Sequence, residues 1–263
     1  PGVCSLAKLG STNRQVFGLT DKGYNLDNIR IVRNSVYYRM RSLLGSPVAD
    51  PLKVFVKQEP HKDKKVEQGR LRLIMAVSLI DALVDRVLFM KLMHKVLLNF
   101  SNTNVMIGWS PVVGGYRLLQ SKFGSMKTIS IDKKAWDWSV PHWLLEAAKN
   151  VIIDLAVEPP DWWITMVNAR FSLLFEEPVF QFGDGKRGYQ NKPGVMKSGC
   201  YLTLLLNSIC QLLLHEMSVI SLHLPSEVRD PIVVLGDDSL QRYFEEYPLY
   251  VEYLSSLGFS LEV

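Results

Sequence analysis

Two pairs of acidic residues, far apart in the chain, are the groups whose type and spacing could do chemistry. In KTISIDKKAWDWSV, the run Thr128 to Ile131 reads as a short strand, Asp132 sits at its end, and Asp137 follows five residues later. In PIVVLGDDSLQRY, Ile232 to Leu235 reads as a buried strand by composition and length. Gly236-Asp237-Asp238 then reads as a tight turn, because Gly permits backbone angles that other residues resist, and Ser239 to Tyr243 as the returning strand. An acid at a strand end points into the crevice beside the sheet, a usual place for a divalent-metal ligand. Two adjacent carboxylates repel each other, so inside a cleft they need a cation or strong hydrogen bonds. Taken singly, each cluster reads more readily as a capping or solvated turn, because such turns are common.

Between the acids lies GVMKSGCYLTLLLNSICQLLLHEM. After Ser198-Gly199 the run predicts a helix on which Thr203, Asn207, Gln211 and His215 share one face. Its other faces are almost wholly apolar, so the helix is expected to be buried and its polar stripe must find partners. Two readings stay open: a hydrogen-bond network within the core, or a face lining a substrate channel. Trp136, Trp138, Trp143, Trp162 and Trp163 read as core packing around the first acidic strand, with base stacking as the alternative for one of them. The histidines His61, His94, His142, His215 and His223 show no metal-binding spacing, and there is no Walker lysine loop or GxGxxG.

These groups need a scaffold, and the chain is long enough to supply one. Its 263 residues are 48% hydrophobic and 21% charged, which excludes a wholly disordered chain and a short disulfide-stapled peptide. Cys4, Cys200 and Cys210 include no CxxC pair, against both a disulfide framework and a zinc ribbon. The apolar tract from Tyr201 to Leu214 is broken by Thr203, Asn207 and Gln211, so no transmembrane segment is expected. A helix is predicted from Leu26 to Leu44, a strand at Val54 to Val56 and extended chain at Leu71 to Val77. Ser78 caps a helix through about Leu98, residues 101–115 read as a loop, and Pro141 to Leu155 as a further helix. Residues 1–100 hold 17 Lys+Arg against 8 Asp+Glu, while residues 101–263 hold 13 against 18. The densest basic stretch, residues 53–74, has seven bases and three acids. A basic part feeding an acidic part suits a polyanion held near acid-bound metal ions, and a solvated loop is the alternative.

In order, these segments resemble a viral RNA-directed RNA polymerase of the sobemovirus and polerovirus kind. FVKQEPHKDKKVEQGRLRLI is similar to the basic motif F, SIDKKAWDWSV to motif A, GVMKSGCYLTLLLNS to motif B and VVLGDDS to motif C. EYPLYVEYLSSLGFSLEV is similar to the start of motif D. Motif B lies between the acidic motifs, with 105 residues from Asp132 to Asp237. The resemblance implies an α+β fold: a right-hand polymerase palm, an antiparallel sheet with flanking helices, with partial fingers and no thumb. Residues 1–127 would be partial fingers with motif F, and residues 128–263 palm, with an inserted fingers segment around 156–195. Family members are longer, so the chain is read as a fragment.

The resemblance also implies the roles. RNA-templated RNA synthesis from NTPs would use two Mg²⁺ ions, with Mn²⁺ able to substitute, held by Asp132, Asp237 and Asp238. Lys57, Arg70 and Arg72 would contact the triphosphate, with Glu59 pairing to a nearby base. Asp137, Ser198, Thr203 and Asn207 would recognise the ribose. Lys53, Lys62, Lys64, Lys65 and Gly199 would contact template RNA, Gly199 by letting its loop flex. The implied partners are template and product RNA, NTPs and other viral replication proteins, with primer-independent and protein-primed starts both open, at membrane-associated complexes in the host cytoplasm. The family often places a general-acid lysine in motif D, but here the last lysine is Lys197. A reverse-transcriptase-like palm and a non-catalytic RNA-binding fragment are the alternatives. Leu235 and Gly236 before the acids, instead of YxDD, favour an RNA product.

Overall fold

Asn25 starts the first long helix by accepting the backbone N–H groups of Asp27 and Asn28 at 3.0 and 3.1 Å. The computed structural model describes residues 1–60 and 63–262. The helices in chain order begin with α1 (Asn13–Val16), α2 (Leu26–Leu43), α3 (Asp63–Glu67), α4 (Leu79–Leu98) and α5 (Tyr116–Phe123). They continue with α6 (Trp136–Ser139), α7 (His142–Asp154), α8 (Asp161–Phe171), α9 (Thr203–Ser221) and α10 (Tyr247–Ser256). The strands are β1 (Leu52–Val56), β2 (Leu73–Ala76), β3 (Thr128–Ser130), β4 (Asp132–Lys133) and β5 (Val179–Gln181). They end with β6 (Arg187–Tyr189), β7 (Ile232–Leu235), β8 (Asp238–Arg242) and β9 (Leu261–Glu262).

Residues 1–88 and 158–201 form one compact unit; residues 89–157 and 202–263 form the other. The first holds a four-stranded sheet ordered β2-β1-β5-β6, in which only β1 and β5 run parallel. Ser78 caps α4 as predicted, its Oγ accepting the Asp81 N–H at 3.2 Å. Buried charges tie this unit together. Arg170 on α8 binds both oxygens of Asp85 on α4, at 2.7 and 3.0 Å. Arg39 on α2 bonds Asp81 and lies 3.0 Å from Asp50. Burial pulls the Arg170 pKa down, but Asp85 and Asp81 beside it outweigh burial and push it up.

The second unit is built on an antiparallel sheet ordered β3-β8-β7. Val233, with Leu235 and Leu240, packs against Met106, Phe123 and Trp109. Ile232 and Val234 alternate to the opposite side and are also buried. Helix α9 packs on β7, β8, α7 and α10. It is long and apolar enough to cross a membrane, with mean hydropathy 1.4, but 61% of that stretch is buried within the chain. A core helix has the same length and composition, and the packing places α9 in that role.

Several sequence expectations need correction. The basic stretch is not all loop, since α3 forms inside it. A further short helix, the single-turn α6 with Asp137, precedes α7. Trp136 is buried, but Trp138, Trp143 and Trp162 are exposed and do not pack the core.

Candidate functional site

The β7–β8 hairpin places the adjacent acids. Leu235 pairs with Asp238, so Gly236 and Asp237 form a two-residue loop. Gly236 has φ +68°, the left-handed first position that such a loop assigns to glycine. Its N–H donates to Ser208 Oγ on α9 at 2.9 Å, which fixes the loop from beneath. Strand β3 pairs with β8 through Ser130 and Leu240. Two residues further along that register, Asp132 would face Asp238. The chain changes partner there instead, and Asp132 pairs with Glu262 of β9.

Asp132, just beyond β3, and Asp237 and Asp238 of the hairpin are thus brought to the same end of the β3-β8-β7 sheet. Burial raises the Asp238 pKa, and the negative charges of Asp237 and Asp132 raise it further. All three carboxylates are exposed. Asp132 and Asp238 line a cavity of about 340 Å³ with Ser130, Ser239, Trp109 and Leu235. Crowded, exposed carboxylate oxygens are the donor set a hard divalent cation takes, and such an ion would relieve their repulsion. The residues therefore fit the divalent metal that the resemblance implies.

The polar stripe of α9 is a core network at three of its four positions. Asn207 Oδ1 accepts from Trp136 Nε1 at 2.9 Å, Gln211 Oε1 accepts from Lys133 Nζ at 2.5 Å, and His215 Nδ1 lies 3.1 Å from the Tyr250 hydroxyl. Asn207, Gln211 and His215 are buried, whereas Thr203 at the start of α9 is half-buried. Lys133 is the residue that sequence reasoning missed. Burial pulls its ammonium down to about 8, against the opposing pull of Asp132 and Asp237. A lysine between an acid and another lysine in sequence reads as surface charge, and nothing in its spacing reveals the burial. Burial also pushes His215 below the ordinary imidazole range.

The first unit holds the other predicted groups. Glu59 accepts Lys57 Nζ at 2.7 Å and Arg72 Nη1 at 3.1 Å, so Lys57 and Arg72 converge on one carboxylate. The Lys57 hydrogen bond, and then Arg72, hold Glu59 below the usual carboxylate range despite opposing desolvation. Arg70 is exposed and bonds Gln68 at 3.3 Å. Lys53 on β1 and Lys64 on α3 are exposed. Lys62 and the side chain of Lys65 lie outside the described residues. Ser198 Oγ accepts the Met75 N–H of β2 at 3.4 Å, and Gly199 bridges Ala76. A Cβ on Gly199 would lie 2.5 Å from the Met75 carbonyl oxygen. Close backbone approach is a structural reason for glycine there.

A family model described as viral RNA-dependent RNA polymerase matches residues 38–252. The chain is 30% identical to the replicase polyprotein P2AB of Cocksfoot mottle virus, over 94% of this chain and 26% of that protein. It is 30% identical to the RNA-directed RNA polymerase of Mushroom bacilliform virus, over 97% of this chain and 63% of that protein. It is also 30% identical to Protein P1-P2 of Potato leafroll virus, over 84% of this chain and 21% of that protein. The chain thus spans less than two thirds of each of these relatives. The solved structure of a Sicinivirus 3Dpol RNA dependent RNA polymerase matches with TM-score 0.72 and 17% identity, over all of this chain and 54% of that one. That likeness shows a shared α+β fold.

Proposed function

The chain belongs to the viral RNA-dependent RNA polymerase family, and from that premise we propose that it is the fingers-and-palm part of an enzyme that copies RNA. The reaction joins an NTP to an RNA 3′-hydroxyl and releases pyrophosphate. The observation that carries this reading is the convergence of Asp132, Asp237 and Asp238 at one sheet end, beside the cavity. In this reading residues 1–127 serve the fingers and residues 128–263 the palm, with 156–195 an inserted fingers segment.

Asp132 and Asp237 hold two Mg²⁺ ions, or Mn²⁺ in their place, and Asp238 adds a carboxylate beside them. Bound there, divalent cations supply charge stabilisation to a transferring phosphoryl group and acidify an attacking hydroxyl. Asp137, Ser198, Thr203 and Asn207 recognise the ribose, whose 2′-hydroxyl distinguishes RNA precursors. Lys57, Arg70 and Arg72 bind triphosphate oxygens, for which guanidinium forks are well shaped. Glu59, by pairing with Lys57 and Arg72, keeps two of those cations on one side of the segment. Lys53, Lys62, Lys64, Lys65 and Gly199 serve template RNA. Other viral replication proteins are partners at membrane-associated complexes in the host cytoplasm, with initiation either primer-independent or protein-primed.

Primer extension by a full-length polymerase containing this segment tests the reading. NTP incorporation is expected with Mg²⁺, lost on chelation and restored by added Mg²⁺. Preferential use of dNTPs would favour a reverse-transcriptase-like enzyme. RNA binding without any extension would favour a non-catalytic fragment.

A further inference from the structure

Trp136 and Asn207 are 3% and 5% exposed, and the bond between them joins α6 to α9. An indole N–H donates and cannot accept, so the bond decides which end of the Asn207 carboxamide faces Trp136. The oxygen is committed to Nε1 at 2.9 Å, and the amide nitrogen must point elsewhere. Among the described residues, none takes a hydrogen bond from that nitrogen.

Trp136 itself is held on several sides. Its ring stacks on Phe259, with centroids 5.7 Å apart and planes at 24°. The Lys133 ammonium lies 5.8 Å from the ring centroid. Ala135, with φ +52°, turns the chain into α6 just before it. One turn further along α9, the Lys133–Gln211 bond pins the helix to the same segment. Neither partner can shift easily, so the carboxamide has one orientation.

We propose that Trp136 is a specificity-determining positioning residue: it locks the Asn207 amide so that only its NH₂ is offered to the nucleotide sugar. Asn207 then reads the 2′-oxygen as an acceptor, and the carboxylate of Asp137, the residue after Trp136, accepts a hydrogen bond from the 2′-hydroxyl. A sugar with hydrogen at this position offers nothing to that fixed donor, and its partners are left unpaired. The inference rests on the ribose reading of Asp137 and Asn207 proposed above.

The test compares kcat/KM for an NTP and its dNTP in the full-length polymerase. Trp136→Phe keeps an aromatic ring against Phe259 but removes the N–H, freeing the amide to flip. Asn207→Asp keeps an acceptor toward Trp136 but replaces the NH₂ donor by a second acceptor. Both variants should lower the NTP-over-dNTP ratio by about tenfold, roughly the worth of one hydrogen bond, through the NTP arm alone. An unchanged ratio in either variant overturns the proposal, as does an equal loss on both nucleotides. If Trp136→Phe fails to fold, Trp136→Leu, which also lacks the indole N–H, takes its place, and an unchanged ratio there overturns the proposal. A wild-type enzyme with no preference for NTPs counts against the ribose reading itself. A wild type that prefers NTPs, with an altered Asn207→Asp but an unaltered Trp136→Phe, counts against Trp136 only.

Discussion

Gly199 and Gly236 are glycines for different reasons, and substitutions separate them. Gly236 needs a left-handed φ of +68°, whereas Gly199 needs the absence of a side chain against the Met75 carbonyl. Gly199→Ala would put Cβ 2.5 Å from a backbone oxygen, which cannot swing aside as a side chain does. We expect a loss of about 1–3 kcal/mol in denaturant unfolding, the usual range for overpacking. An unaltered midpoint would refute the close-approach reading. The turn glycine was legible in sequence because GDD follows a clear strand. The packing glycine was not, since its neighbour lies on a strand far away in the chain. The polar stripe shows the same divide. Thr203, Asn207, Gln211 and His215 announce one helix face by spacing alone. Their partners Trp136, Lys133 and Tyr250 lie 71, 78 and 35 residues from the groups they bond, beyond the reach of any local pattern.

Among the elements, α4 and α9 were the most legible, each carrying a long apolar sequence and α4 a serine cap. The short elements were not. Helix α3 forms within a charged stretch and α6 is a single turn, so neither has enough residues to display a period. The charges that join α2, α4 and α8 were also hidden, because a buried Asp or Arg has the same letter as a solvated one. Their burial gives a prediction. Arg170 is 1% exposed, and Arg170→Met would leave Asp85 buried without its bidentate partner. The expected cost is about 3–5 kcal/mol, read from denaturant unfolding. Asp85→Asn in the Arg170→Met background should recover part of it, because the stranded charge is then gone. A single variant as stable as wild type would contradict the structural role of the cluster.

At the scale of the molecule, each compact unit is discontinuous in sequence. Residues 89–157 and 202–263 together supply the acids, the cavity and the polar network of α9. The chain must return after 105 residues to set Asp237 near Asp132. The order of the motifs made that return legible, because short strands ending in acids are useful together and unremarkable apart. What the sequence could not display is the buried Lys133 beside them, or the change of strand partner at Asp132. The whole account depends on these carboxylates acting as one site. Single-turnover extension of an RNA primer by the full-length polymerase, comparing wild type with Asp132→Ala and Asp237→Ala, tests it most directly. Each variant should lose at least about a thousandfold in rate, as expected where several kcal/mol of charge stabilisation is removed. Extension by either variant at close to the wild-type rate would contradict it.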